Sequence, residues 1–203
     1  MRTQKFVAII ITGLGNQREQ KKLITWAVKD WEKKYDIKPV VYEFGWYDKD
    51  TLENKLAELL RFIKDINFKG NNVALIGCSA GASAALNVFH SCKEQVHSLI
   101  NICGRVRTST NVLPTLNFAS RNSPLFKHSV IKCEENLKTL TKQDLNKITC
   151  YRAIFDEVVP AGTTYINGAT NKVLPIIEHV LSIGFCLTIY SRNIASVIKS
   201  HNS

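Results

Sequence analysis

Apolar residues gather in six short runs along the chain: Phe6–Thr12, Pro39–Phe44, Asn72–Ile76, His97–Ile102, Thr149–Phe155 and Lys172–Ile176. Runs such as Phe6-Val7-Ala8-Ile9-Ile10-Ile11 and Asn72-Val73-Ala74-Leu75-Ile76 do not alternate with polar residues. That is the pattern of strands buried on both faces, as in a parallel sheet. Between most of these runs the period lengthens to that of a helix. Ile24, Ala27, Val28, Trp31 and Tyr35 share one helical face within Gln17–Tyr35, and Leu52, Leu56, Leu59, Leu60 and Ile63 share another. The second helix opens at Asp50-Thr51-Leu52-Glu53, which resembles a capping box with Asp50 in the cap. Strands alternating with helices predict an α/β fold: a mostly parallel sheet of about six strands with helices on both faces.

One segment breaks the alternation. Residues 104–148 carry no strand signal, but hold Pro114, Pro124, a Ser/Thr/Asn-rich beginning and one helical stretch near Lys142. A connection of this length is usually functional or mobile. We read it as a cap-like insert within one domain spanning residues 1–203, expected over the C-terminal edge of the sheet. Its Leu113, Leu116, Phe118 and Phe126 either line a substrate pocket or pack the insert down, and its Arg105, Arg107 and Arg121 are available to an anionic group.

A chain of 203 residues with 45% apolar and 22% charged residues has the make-up of a globular domain. Its six cysteines form no CxxC pair, and several fall inside predicted elements. Buried reduced thiols, and hence a cytoplasmic location, are the expectation. Arg2 and Lys5 before the apolar run 6–11 imitate a signal peptide, but that run leads directly into Thr12-Gly13-Leu14-Gly15 and is read as a strand. No apolar run approaches the roughly 18–20 residues that span a bilayer, so no stable membrane insertion is expected. The net charge of +10 comes from dispersed lysines and arginines, without a basic run or a nucleic-acid-binding motif. A solvated surface is expected, with no nucleic-acid partner.

The chemistry lies at the ends of the strands. Ile76-Gly77-Cys78-Ser79-Ala80-Gly81 reads Gly-x-Ser-x-Gly, between an apolar run and an alanine-rich helix. A strand that turns sharply into a helix needs glycine on both sides of the turning residue, since a Cβ there meets neighbouring backbone. The turn lifts one hydroxyl above the sheet edge at the positive end of a helix, as a serine nucleophile requires. Three fixed positions are a weak signal alone; an acid and a base later in the chain give them weight. The run 149–155 ends in Asp156-Glu157-Val158-Val159-Pro160, and His179 opens a final amphipathic helix just after the run 172–176. Ser79, Asp156 and His179 thus each come just after a predicted strand, at the edge where parallel sheets place reactive groups.

These residues resemble those of a small α/β-hydrolase over nearly the whole chain. The nucleophile elbow around Ser79 is the most specific element. Asp156 followed by an apolar pair and Pro160 is similar to the acid-bearing loop, and Ile11-Thr12-Gly13-Leu14-Gly15 to the oxyanion loop, with Thr12 where many members have His and Glu178-His179 in place of Gly-His. The resemblance implies a serine hydrolase with a Ser79-His179-Asp156 triad and an oxyanion hole of Leu14 and Ala80 N–H groups. It implies a carboxylesterase or thioesterase acting on a small-molecule ester without cofactor or metal. Alternatives stand beside this reading. Glu157 competes with Asp156 as the acid, and Asp156 also suits a local cap. His179 competes with His90, His97, His128 and His201, and Cys78 sits beside the serine. Gly13-Leu14-Gly15 is half of a dinucleotide fingerprint, but Arg18 stands where a third glycine belongs, and Ala82 stands where a P-loop needs lysine. A non-catalytic binding protein on the same fold is the second functional reading. Oligomeric state is not legible.

Overall fold

The computed structural model describes residues 5–109 and 111–200. Six strands pair in one sheet: β1 (Phe6–Ile11), β2 (Ile37–Tyr42), β3 (Asn72–Cys78), β4 (Val96–Ile102), β5 (Ile148–Phe155) and β6 (Thr170–Ile177). Their order is β2-β1-β3-β4-β5-β6, and each neighbouring pair is parallel. Each predicted strand is present within a few residues of its expected bounds. Both edge strands contain a proline, Pro39 in β2 and Pro175 in β6. A residue without an N–H is tolerated at an edge and discourages further pairing there.

Helices arise from the same pattern. They are α1 (Gln17–Val28), α2 (Trp31–Tyr35), α3 (Leu52–Phe68), α4 (Gly81–Cys92), α5 (Leu116–Ala119), α6 (Pro124–Leu137), α7 (Lys142–Asn146), α8 (His179–Leu187) and α9 (Ser191–Lys199). Alternate residues of β1 serve opposite layers. Val7, Ile9 and Ile11 join a core with α3, α4 and α6, while Ala8 and Ile10 join one with α1, α2, α8 and α9. None of the described helices is by itself long and apolar enough to cross a membrane.

Three local expectations are corrected. The helix expected over 17–35 breaks into α1 and α2, with Asp36 in the left-handed region (φ 54°) ending the second. The cap of α3 is Thr51, whose hydroxyl accepts the Asn54 N–H at 3.2 Å; Asp50 instead accepts from Thr51 N and the Asn54 side chain. The last amphipathic stretch is two helices, α8 and α9, meeting at 64°.

The segment from 104 to 148 is the crossover between parallel β4 and β5, a connection that a helix normally makes. That helix is α6, absent from the sequence expectation. Val130 and Cys133 bury in the core, and Ser129 bonds to Ser83 Oγ (2.8 Å) and accepts Asn87 Nδ2 through its carbonyl (2.9 Å) on α4. These bonds seat α6 beside α4. Leu113 and Phe118 are exposed and Leu116 is buried in the core, so of the four apolar residues considered only Phe126 reaches the cleft at the carboxyl edge of the sheet.

Candidate active site

The strand order reverses between β1 and β3: the chain leaves β1 toward β2 and leaves β3 toward β4. Connections diverging to opposite faces open a crevice at the carboxyl ends of these two strands. The loop after β1 and the turn after β3 meet there.

Ser79 occupies that turn with φ 54°, a left-handed conformation costing a non-glycine residue about 1–2 kcal/mol. Its neighbours hold it in place. Ser79 N–H donates to Ile102 O of β4 (3.0 Å), and its carbonyl accepts Ala82 N–H (3.1 Å). Both motif glycines are needed for close approach. A Cβ at Gly77 would stand 2.4 Å from Ala82 Cα, and one at Gly81 2.2 Å from Ile11 O. Gly13 lies against the serine itself, where a Cβ would come within 2.8 Å of Ser79 Cβ. Gly104 gives the turn similar room, since a Cβ there would meet Ala82 Cβ at 2.0 Å; sequence reading did not single it out.

The three residues expected at separate strand ends come together. His179 Nε2 lies 2.9 Å from Ser79 Oγ, and His179 Nδ1 lies 2.9 Å from Asp156 Oδ2. The His179 and Asp156 side chains are both nearly buried. Asp156 meets the imidazole and is a local cap together, because its Oδ1 also accepts the N–H groups of Val158 (2.9 Å) and Val159 (2.7 Å). Glu157, the competing acid, does not reach the imidazole. Its carboxylate accepts the backbone N–H of His179 (3.2 Å) and so helps fix where α8 begins. Glu178 caps α8, accepting from Val180 and Leu181 N–H; chiefly the Leu181 bond holds its carboxyl below the usual range.

The other candidates have different occupations. Cys78 points into the core, and burial pushes its thiol up to about 12, which leaves it protonated beside the serine. His90 bonds Thr139 Oγ1 at 2.8 Å, remote from the crevice, and His201 lies outside the described residues. One group of possible metal ligands includes the site: single ligand atoms of Cys103, Asp156 and His179 fall within 4.8 Å of one another. Its donor set suits a metal poorly, since the Asp156–His179 hydrogen bond occupies two donors and burial raises the Cys103 thiol to about 12.

The loop after β1 carries a device that sequence reading missed. The Gln20 amide, one turn into α1, accepts Gly13 N–H through Oε1 (3.0 Å) and donates through Nε2 to Leu14 O. The peptide units before and after the Gly13–Leu14 bond are therefore both held, and the next N–H, of Gly15, is taken by Tyr47 Oη (2.9 Å). Among the described residues, Leu14 N–H and Ala80 N–H have no protein acceptor. A glutamine seven residues past a glycine loop was the available signal, but only the folding of α1 back over the loop gives it meaning.

From Ser79 a cleft of about 730 Å³ extends over the sheet edge and between α1 and α8. Leu23, Ile24, Trp26 and Ala27 line it from α1, and Val180, Leu181, Ile183, Gly184, Phe185 and Leu187 from α8. The 104–148 segment adds Arg105, Ala119 and Phe126. Arg105 is buried, and its guanidinium donates to the carbonyls of Arg107 (3.3 Å), Thr108 (2.6 Å) and Pro114 (2.8 Å), so it organises its own loop. Arg121 lies over the Phe118 ring, 4.3 Å from its centroid.

No protein-family model matches the chain, and no curated protein sequence matches it. Solved structures do. A metagenome-derived lipolytic enzyme, from work on LipS and LipT, superposes with a TM-score of 0.67 at 12% identity, over 98% of this chain and 95% of its own. The pyrethroid hydrolase PytH gives 0.66 at 10% identity over 98% and 99%. MGS-MChE2, an α/β-hydrolase from the metagenome of Mar Chica lagoon sediments in Morocco, gives 0.64 at 16% over 99% and 93%. These likenesses over nearly the whole chain show that it has the α/β-hydrolase fold.

Proposed function

We propose that the protein is a serine hydrolase that cleaves carboxylic esters or thioesters of small molecules through an acyl-enzyme. The observation that carries this reading is the unbroken relay from Ser79 Oγ through His179 to Asp156, with both contacts at 2.9 Å. A serine hydroxyl is a weak nucleophile until a base takes its proton. His179 Nε2 takes that proton as Oγ attacks the carbonyl carbon, then delivers it to the departing alcohol or thiol. Water repeats the sequence on the acyl-enzyme and releases the acid. Asp156 holds the imidazole with Nδ1–H toward itself and stabilises the imidazolium that forms. The oxyanion of each tetrahedral intermediate sits between the N–H groups of Leu14 and Ala80, each worth about 3–4 kcal/mol to the transition state. The similar lipolytic enzyme and pyrethroid hydrolase lend support to hydrolysis as the reaction class. Residues 104–148 act as a partial cap, contributing one wall of the cleft. All six cysteines are unpaired and buried, which suits a reducing, cytoplasmic setting.

A fluorophosphonate probe tests the reading. It is expected to label Ser79 and to leave Ser79→Ala unlabelled, with aryl-ester hydrolysis lost in parallel. Asp156→Asn is expected to reduce kcat about 10⁴-fold by favouring the wrong imidazole tautomer. Glu157→Gln, which keeps an oxygen for the His179 N–H, is expected to be mild. Labelling that persists in Ser79→Ala, or that maps to Cys78, overturns the assignment.

A further inference from the structure

The cleft has few polar side chains along its walls. Apart from Gln20, Ser79, Arg105, His179 and Thr188, every residue that lines it is a glycine or has a predominantly apolar side chain. Those five are already engaged. Gln20 holds the loop after β1, and Ser79 and His179 hold each other. The Nε and both Nη atoms of Arg105 donate to carbonyls, and Thr188 Oγ1 donates to Gly184 O (2.6 Å). A ligand group lying between α1 and α8 thus meets few free hydrogen-bond partners, the Trp26 indole N–H and the accepting side of Thr188 Oγ1 among them, and a polar one would lose most of its water without compensation. An aliphatic group loses nothing and gains from leaving water. The mouth continues in the same character, since Leu23 on α1 and Leu181 on α8 are about two-thirds exposed. Lining residues run the length of α8, a span of about 12 Å at the rise of a helix.

We propose that the α1–α8 cleft is a subsite for a long alkyl chain of the substrate, so that the enzyme selects long-chain aliphatic esters over short ones. This rests on Ser79 being the nucleophile at the head of the cleft. The chain lies against Leu23, Ala27, Leu181 and Phe185, and passes Gly184. Gly184 sits inside α8 with ordinary φ, and a Cβ there would meet nothing within 4 Å. A larger side chain at 184 therefore projects into the cleft without straining backbone, and it removes a glycine from a helix interior.

The test is a series of p-nitrophenyl esters from acetate to dodecanoate, with a matching series of alkyl acetates to separate a chain on the acyl side from one on the alcohol side. In one of the two series kcat/KM is expected to rise by about fourfold per methylene over the first several carbons. Gly184→Phe is expected to lower the long-to-short ratio in that series at least about tenfold. Gly162→Phe places the same bulk where a Cβ also meets nothing, away from the cleft, and should leave the ratio as it was. A ratio equal in wild type and Gly184→Phe, or a wild type that favours acetates of short alcohols and short acyl groups throughout, overturns the subsite. Binding of dodecanoate to Ser79→Ala, followed by calorimetry, separates the two proposals. Binding that Gly184→Phe abolishes supports the subsite even if no ester is hydrolysed, and no binding in either background refutes it even if acetate is hydrolysed.

Discussion

Gln20 shows how much of this site depends on a residue that touches no reacting atom. Its amide holds Gly13 N–H and Leu14 O at once, which fixes the peptide plane between them and with it the direction of the Leu14 N–H. Gln20→Ala is expected to lower kcat about tenfold to a hundredfold with little change in KM, because a misaimed donor is lost only where negative charge develops. Steady-state kinetics on an aryl ester checks this, and an equal loss in KM would make the residue merely structural. Glu157 teaches the complementary point. Asp156 is favoured over the adjacent Glu157 because it directly ends the strand, and the backbone turns one toward Nδ1 and the other toward the N–H of His179.

At the scale of elements, the strands were the most legible part of the chain. Uninterrupted apolar runs have one physical explanation in a parallel sheet, so their bounds came within a few residues. Helix α6 escaped because its apolar positions, Leu125, Phe126, Val130 and Cys133, are diluted by Lys127, His128 and Ser129. Ser129 is buried there only because Ser83 and Asn87 on α4 supply its partners. The Ser123-Pro124 start was the available signal, since Ser123 caps the helix by accepting Phe126 N–H (3.3 Å) and proline suits the first turn. The junction of β3 with α4 is the tightest place between elements. Gly81→Ala is expected to destabilise by about 3 kcal/mol or more, since the added methyl meets Ile11 O at 2.2 Å and main chain on both sides must move. Gly162→Ala, with open space, should stay within about 0.5 kcal/mol. Chemical denaturation of the two variants makes the comparison directly.

For the molecule as a whole, an ion pair fastens the β4–β5 crossover to the end of α4. Asp144 caps α7 and meets Lys93 Nζ at 2.6 Å. Burial pushes the Asp144 carboxyl up, but the bonds from Lys93 and Thr141 outweigh it and hold it at about 2, against 3.8 ordinarily. A carboxyl lowered in the folded state stabilises that state fully above its unfolded value, and the stabilisation is lost as pH falls from about 4 toward 2. Asp144→Asn is therefore expected to lower stability near neutrality and to flatten its dependence on pH across that window. Thermal melts of both proteins from pH 2 to 7 measure the slope, and parallel curves would show that the pair contributes nothing.

The sequence by itself determined the strands and their alternation with helices, and it singled out Ser79, Asp156 and His179 as candidates. These are properties of local pattern: a run that must be buried, a turn that only glycine permits, and reactive side chains just beyond strand ends. Tertiary structure alone decided which groups meet. Ser79 and His179 are a hundred positions apart, and sheet order, not spacing, brings Nε2 to the hydroxyl. The same order set α1 against α8, so the apolar wall of the cleft came from those two helices and only partly from the 104–148 segment. Periodicity shows that a helix has an apolar face. Which element that face meets depends on the paths of the crossovers through space, and no local pattern records them.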